Sequence, residues 1–181
     1  MKRVLPWLLT GAFLAGAWLL NFVTLPENSI EASFVTAGEV GDPVAGRNLV
    51  VTVTDVRAAD RISDDEGWSA EGTWVVVDLD AASVLDQYGR SLSSAELTAG
   101  GRTYRATERG TTFFQSQLVP GVPRSGSLAF ELAPDARTGD AVLRLAPQGD
   151  TRTDSVLEIA IDLDDIAVQH ETTLQPNGWA D

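Results

Sequence analysis

Apolar and polar residues alternate in short runs beyond Gly46, which is the pattern of β-strands with one buried face and one solvated face. In the run TWVVVDLDA, Val75 and Leu79 share one face while Asp78 and Asp80 lie side by side on the other. The most regular runs are residues 49–53, 75–81, 128–132, 143–145 and 157–163. Residues 104–107 and 113–118 form two less regular runs.

Glycine and proline dipeptides separate these runs and mark chain reversals. They are Gly100-Gly101, Pro120-Gly121, Pro134-Asp135 and Gly139-Asp140. The sequence after residue 46 contains no sustained apolar period of about 3.6 residues. Residues 47–165 are therefore predicted to form an immunoglobulin-like antiparallel β-sandwich of about seven or eight strands. A closed barrel is the alternative, and residues 93–97 fit either a strand or a single helical turn.

The N-terminal segment, residues 4–25, contains twenty-two residues without a charge. As a helix it would be about 33 Å long, enough to span a bilayer. Lys2 and Arg3 precede it, which predicts a cytoplasmic N-terminus and an extracytoplasmic remainder. Residues 1–25 are thus interpreted as a cytoplasmic stub with a signal-anchor helix. One alternative is secretion after signal-peptide cleavage at Ala15-Gly16-Ala17, and another is an N-terminal helix buried in the domain core.

Two further segments flank the predicted sandwich. Residues 26–46 hold prolines, glycines and acids without a period and are predicted to be an extracytoplasmic linker, although residues 30–35 also fit an edge strand. Residues 166–181 are predicted to be a C-terminal tail.

Composition excludes several classes of function. Acidic residues number 26 against 13 basic ones, for a net charge of −13, so nucleic acid would be repelled. The chain contains no cysteine, which rules out disulfides, a thiol nucleophile and lipidation of an N-terminal cysteine. An extracytoplasmic domain without disulfides favours a bacterial cell envelope.

Candidate catalytic and metal-binding residues do not form a recognisable constellation. His170 is the only histidine and falls in the predicted tail, away from any G-x-S-x-G motif. Asp78 and Asp80 are candidates for glycosidase carboxylates but share one solvated face. The acidic runs at residues 64–66 and 162–165 could ligate Ca²⁺, although neither has EF-hand spacing. No dinucleotide or P-loop motif is present. We therefore predict a protein without a cofactor, and not an enzyme.

The aromatic residues suggest one candidate contact for a partner protein. Trp68 sits in a polar loop beside Asp64 and Asp65, where it could anchor a partner or fold back over the sandwich end. Trp74, Phe113 and Phe114 are expected to pack in the core, with the two phenylalanine rings on opposite faces of a strand.

The order of the motifs resembles a known family. NLVVTVTDV, GTWVVVDLDAAS, GGRTYRAT, LVPGVPRSGSLAFELAPDA and AVLRLAP follow one another within residues 46–163. This order is similar to the telokin-like, immunoglobulin-like extracellular domains of unknown function in Gram-positive, actinobacterial-type envelope proteins. The resemblance implies a sandwich fold and supplies no catalytic residues. Members often carry a lipidated cysteine or a cleaved signal, whereas this chain has an apolar segment instead.

These features together predict a single-pass membrane protein that presents an acidic β-sandwich outside the cell. We expect it to act as a non-catalytic binding or accessory module for another envelope protein or complex. The alternatives are a structural or stress-related envelope protein and a cell-wall glycan hydrolase.

Overall fold

The computed structural model describes residues 10–16, 18, 34–84, 90–147 and 155–180, which fall into two compact units. The first unit, Met1–Ala32, has helical backbone at residues 10–16 and 18. Within the described ranges, no helix combines the length and the apolar character needed to cross a bilayer. The remainder of the predicted membrane segment 4–25 lies outside the described residues, as do residues 26–33 of the predicted linker.

The second unit, Ser33–Asp181, is built from β-strands. In chain order they are β1 (Phe34–Glu39), β2 (Pro43–Ala45), β3 (Leu49–Ser63), β4 (Ser69–Ser83), β5 (Arg90–Ser91), β6 (Ser94–Ala99), β7 (Arg102–Arg105), β8 (Gln117–Leu118), β9 (Arg124–Leu132), β10 (Asp140–Ala146), β11 (Ser155–Asp162), β12 (Ala167–Thr173) and β13 (Gly178–Trp179). A 3-10 turn at Pro134–Ala136 connects β9 to β10.

Eleven of the strands form two sheets that pack face to face as a β-sandwich, and β5 pairs with β8 in a separate two-stranded sheet. The first sheet has the order β1-β11-β10-β6-β7. The second sheet has the order β12-β3-β4-β9-β13, with β2 also paired to β3. Neighbouring strands are antiparallel except for β1 with β11 and β12 with β3, which are parallel. The β-sandwich is confirmed and is not the alternative closed barrel, but it has more strands than the predicted seven or eight, and two of its strand pairs are parallel.

The predicted alternation places the core between the two sheets. Val51, Val75, Phe130, Leu143 and Ile159 are wholly buried and belong to one apolar cluster to which both sheets contribute. Each such side chain stabilises the folded state by about 1.5–3 kcal/mol. The strands that the sequence predicts most clearly are therefore those that carry this core.

A two-residue turn between β6 and β7 shows how glycine sets the strand register. Gly100 and Gly101 have φ of 55° and 73°, and Ala99 pairs with Arg102 on either side of them. Positive φ at both central residues suits the right-handed twist of a hairpin, and glycine adopts it without a steric penalty. The predicted reversal is confirmed, and residues 94–99 form a strand, which decides between the two structures considered for residues 93–97.

The outward face of the second sheet is not wholly solvated. Trp74 and Val76 are buried in a second apolar cluster on the side opposite the main core. Leu174 completes this cluster and is 1% exposed. It begins the C-terminal strap, defined as residues 174–177, which runs from β12 at one edge of the sheet to β13 at the other. The strap thus covers a face that alternation alone predicts to be wet.

The strands extend beyond the boundaries 47–165 that the sequence predicts for the sandwich. β1 and β2 lie in the predicted linker, and β12 and β13 lie in the predicted tail. Most side chains of β1 and β12 are exposed, so these strands lack an alternating pattern. Their backbones are nevertheless paired along their length to β11 and β3. Backbone pairing without a buried side-chain face leaves little trace in sequence.

Residues 113–118 differ from the predicted strand. Only Gln117 and Leu118 are in a strand, and Gln115 has a φ of 61° within a tight turn. This turn directs Phe113 and Phe114 into the same core instead of onto opposite faces. The prediction that both rings pack in a core is correct, but the predicted local structure is wrong.

Candidate functional site

The predicted partner-contact residues lie in the loop between β3 and β4. Asp64 is 8% exposed, Asp65 is exposed, and Trp68 is half-buried. The Oδ1 atom of Asp64 accepts hydrogen bonds from the backbone N–H groups of Trp68 at 2.7 Å and Glu66 at 3.1 Å. Its Oδ2 atom accepts one from the backbone N–H of Thr111 at 3.0 Å. Asp64 thus ties two loops together within the domain.

These hydrogen bonds also set the ionisation of Asp64. Burial acts to raise the pKa of this carboxyl, but the hydrogen bonds from the N–H groups of Trp68, Thr111 and Glu66 outweigh it. They hold the pKa below its usual value of 3.8, because N–H donors favour the charged form. The carboxylate is therefore ionised at neutral pH while serving as an acceptor for its own backbone.

Trp68 is half-buried and packs against Gly110 and Arg109. A Cβ added to Gly110 would lie 2.4 Å from Cε3 of Trp68, so the indole lies directly against the glycine backbone. The Arg109 guanidinium carbon lies 5.5 Å from the ring centroid, within cation–π range. The loop thus folds Trp68 back onto the second apolar cluster. Its contact with a partner remains a prediction, as do those of Asp64 and Asp65.

The other candidate residues do not converge on one site. His170 is exposed on β12. Asp78 and Asp80 share the outward face of β4, as predicted, but are partly buried and hydrogen-bonded to Ser127 and Ser125. Within the part of the chain that the structure describes, no three histidine or acidic side chains come together closely enough to hold a metal ion.

An ion-pair network links β3, β4 and β12 in the second sheet. Arg57 is 8% exposed, and its Nη1 atom donates to Asp78 at 2.5 Å and to Asp55 at 3.0 Å. Its Nε atom donates to Thr172 Oγ1 at 2.7 Å, and its Nη2 atom donates to the carbonyl of Thr173 at 3.1 Å. The guanidinium thereby connects the centre of the second sheet to β12.

An open groove of about 730 Å³ lies on the second unit. It lies among the ends of β1, β10 and β11 of the first sheet, the middle of β3 and the start of β12. Apolar side chains that include Val56, Val142 and Ile166 line it. Its carboxylates come from Glu39, Asp55, Asp140, Asp162 and Asp165, and no arginine or lysine is among the lining residues described.

Two pairs of aspartates face each other across neighbouring strands near this groove. Asp55 is opposite Asp78, and Arg57 binds both carboxylates. Asp140 is opposite Asp162, and neither forms an ion pair with any described residue. Like charges directly opposite each other destabilise a sheet. At the Asp140–Asp162 pair the described residues supply no cation, and the backbone N–H of Asp164 donates a hydrogen bond to Asp162 Oδ1 at 2.9 Å.

Sequence reasoning did not find the groove because its residues come from five separate strands. The sequence marks Asp162 and Asp165 only as possible calcium ligands, and Glu39 lies in the predicted linker. The sequence signal for a shared site is that the hairpin β10–β11 begins with one acidic residue, Asp140, and ends with another, Asp162. The register that makes them partners is visible only once the hairpin is formed.

Comparisons with known proteins give little beyond the fold described above. No protein family model matches this chain. No curated protein matches it either. The chain is similar to an uncharacterized β-sandwich protein from Clostridium difficile 630, at 12% sequence identity and a TM-score of 0.49. The match covers 71% of this chain and 96% of that chain. The assignment of a β-sandwich rests on the strand pairing of the chain itself.

Proposed function

We propose that this protein is a non-catalytic binding module that recruits another envelope protein through the groove lined by residues of both sheets. The observation that carries the proposal is the composition of the groove, in which alkyl side chains are surrounded by carboxylates and no cation lies among the described lining residues. Alkyl groups exclude water from a bound partner, and charges of one sign attract the opposite sign and set its orientation.

The size of the groove supports recognition of a small part of a partner. Its volume of about 730 Å³ lies within the usual range for ligand-binding clefts. Among the groove carboxylates, Asp55 is paired with Arg57, whereas the facing residues Asp140 and Asp162 form no ion pair with a described residue. These two carboxylates therefore remain available to an external cation.

We further propose that the module is held outside the cell by residues 4–25 as a single-pass anchor, with the N-terminus in the cytoplasm. The uncharged length of this segment and the two basic residues that precede it support this orientation. Protease added to intact spheroplasts is expected to degrade residues 34–181 and spare the N-terminus. Protection of the whole chain would contradict the orientation, and a chain found only in the medium would support signal cleavage.

The sandwich is, in our proposal, of the immunoglobulin-like kind and related to the telokin-like extracellular domains. The strand order supports this: β3, β4 and β9 share one sheet and β6, β10 and β11 the other. The chain passes between these two sheets after β1, β4, β7, β9 and β11, and such crossings between sheets are a feature of Greek-key sandwiches.

Cross-linking followed by affinity purification from the native membrane tests the proposed function. The full-length chain is compared with residues 1–33 alone and with a variant whose groove acids Glu39, Asp140, Asp162 and Asp165 are all replaced by their amides. One or two recurrent partners that are recovered only with the unmodified groove are the expected result. Equal recovery with the amide variant would refute a role for the groove, and recovery of nothing would favour a structural role.

A further inference from the structure

We infer that the occupant of the groove is an arginine-bearing segment of a partner protein, with one guanidinium seated between Asp140 and Asp162. This inference rests on the proposed function and specifies the chemistry of its ligand. The groove is lined by apolar side chains and by two facing aspartates, which favour a ligand with an apolar stem and a cationic end.

The domain itself contains the arrangement that we expect the ligand to reproduce. Asp55 and Asp78 face each other between β3 and β4, and the guanidinium of Arg57 donates to both. Asp140 and Asp162 face each other between β10 and β11 in the same way, but without a guanidinium from the described residues. A guanidinium from outside would complete the second site as Arg57 completes the first.

The same hairpin shows that facing charges are not generally left unbalanced. Arg144 and Glu158 are also direct partners between β10 and β11, and their side chains form an ion pair at 3.1 Å. Opposite charges at such positions stabilise a sheet, whereas like charges destabilise it. The unbalanced pair is therefore the one that lines the groove.

The spacing of the carboxylates favours an extended ligand over a metal ion. Across the described residues, no three acidic groups converge on a point where one cation could bind them. The carboxylates are instead distributed around a surface that includes Val56, Val142 and Ile166. An arginine places an apolar stem against such alkyl groups while its charged end reaches a carboxylate. Its planar fork also donates to two acceptors at once, which a lysine ammonium does with less geometric specificity.

The test measures binding of a labelled peptide to the full chain in mild detergent. The probe alternates arginine with valine; one matched peptide carries lysine in place of arginine, and another carries uncharged citrulline. The groove variant is Asp140→Asn/Asp162→Asn. The control variant is Glu66→Gln/Glu131→Gln, which removes two exposed carboxylates that form no ion pair among the described residues and do not line the groove.

We expect the arginine peptide to bind the wild-type protein and the control variant alike, and to bind the groove variant at least tenfold more weakly. The lysine peptide is expected to bind less tightly than the arginine peptide, and the citrulline peptide to lose binding. Thermal unfolding checks that the groove variant is folded, and relief of the facing charges predicts a melting temperature no lower than that of the wild type.

Four results would overturn the inference. Equal binding of the citrulline peptide would show that charge is not recognised. An equal loss in the control variant would show attraction to net charge only. Calcium binding that the groove variant abolishes would indicate a metal site. If the arginine peptide fails to bind but the membrane cross-linking recovers a groove-dependent partner, the arginine assignment fails and the proposed function stands.

Discussion

Replacing Asp78 with alanine removes the more buried of the two carboxylates that pair with the Arg57 guanidinium. Arg57 has a side-chain exposure of 9%, and Asp78 has 14%, whereas Asp55, the second carboxylate, is 59% exposed. Breaking a buried ion pair by removing one partner costs about 3–5 kcal/mol, because a charge is left without compensation. Asp55 remains beside Arg57 in the variant, so we expect a value at the lower end, about 3 kcal/mol.

Two matched variants separate burial from charge. Asp55→Ala removes the exposed partner of the same guanidinium and is expected to cost about 0.2–1 kcal/mol. Asp80→Ala removes a neighbouring aspartate on the same strand whose side chain accepts a bond from Ser125 at 2.7 Å, with an expected cost of about 1 kcal/mol. Asp78→Ala should therefore be about three times as costly as Asp80→Ala and at least about three times as costly as Asp55→Ala.

Urea unfolding of the full chain, followed by tryptophan fluorescence, gives the three free energies of unfolding. A double variant, Arg57→Met/Asp78→Ala, adds a thermodynamic cycle and is expected to be less destabilised than the sum of its single variants. If Asp78→Ala costs no more than Asp55→Ala, the network does not act as a buried ion pair. Additive single effects in the cycle would lead to the same conclusion.

Three further predictions concern the loops and the strap. Gly110→Ala is expected to lower the melting temperature more than Gly101→Ala, although both glycines have φ near 70°. The reason is that a Cβ at Gly110 would lie 2.4 Å from Trp68, whereas one at Gly101 meets nothing within 4 Å. An equal loss of melting temperature in the two variants would contradict that packing. Asp64→Ala lowers stability at neutral pH. The difference from wild type shrinks as the pH falls through the depressed pKa of this carboxyl, below 3.8, whereas a difference that persists in acid would refute the role of its charge. Leu174→Ala is expected to lower the free energy of unfolding by about 2–5 kcal/mol. It is also expected to speed amide hydrogen exchange at residues 178–180. Unchanged exchange there would mean that the strap does not depend on the contact of Leu174.

The central strands could be predicted from sequence because they bury one face. In β4, Val75, Val77 and Leu79 alternate with Asp78, and the same residues line the core of the sandwich. The sequence predicts burial less well where a buried residue lies on the face that alternation assigns to solvent. Trp74 and Val76 face outward yet are buried, because the strap covers them. Nothing local in the sequence indicates which distant segment provides that cover.

Edge strands and the candidate site were harder to predict for related reasons. β12 exposes nearly all of its side chains and is held by backbone hydrogen bonds to β3, so its sequence resembles a tail. The groove depends on strand register, which brings Asp140 and Asp162 together although they are separated by the whole hairpin. Trp68 was visible as an unusual loop residue, but its packing against Gly110 depends on a second loop.

Site-specific photo-cross-linking in the native membrane tests recognition through the groove most directly. A photoreactive residue is placed at Val142, which lines the groove, and in a separate variant at Val122, which is 45% exposed and does not line it. We expect one recurrent adduct from position 142 that is absent from position 122 and that is lost in the Asp140→Asn/Asp162→Asn variant. The same adducts from both positions, or an adduct at 142 that survives loss of the two aspartates, would contradict it.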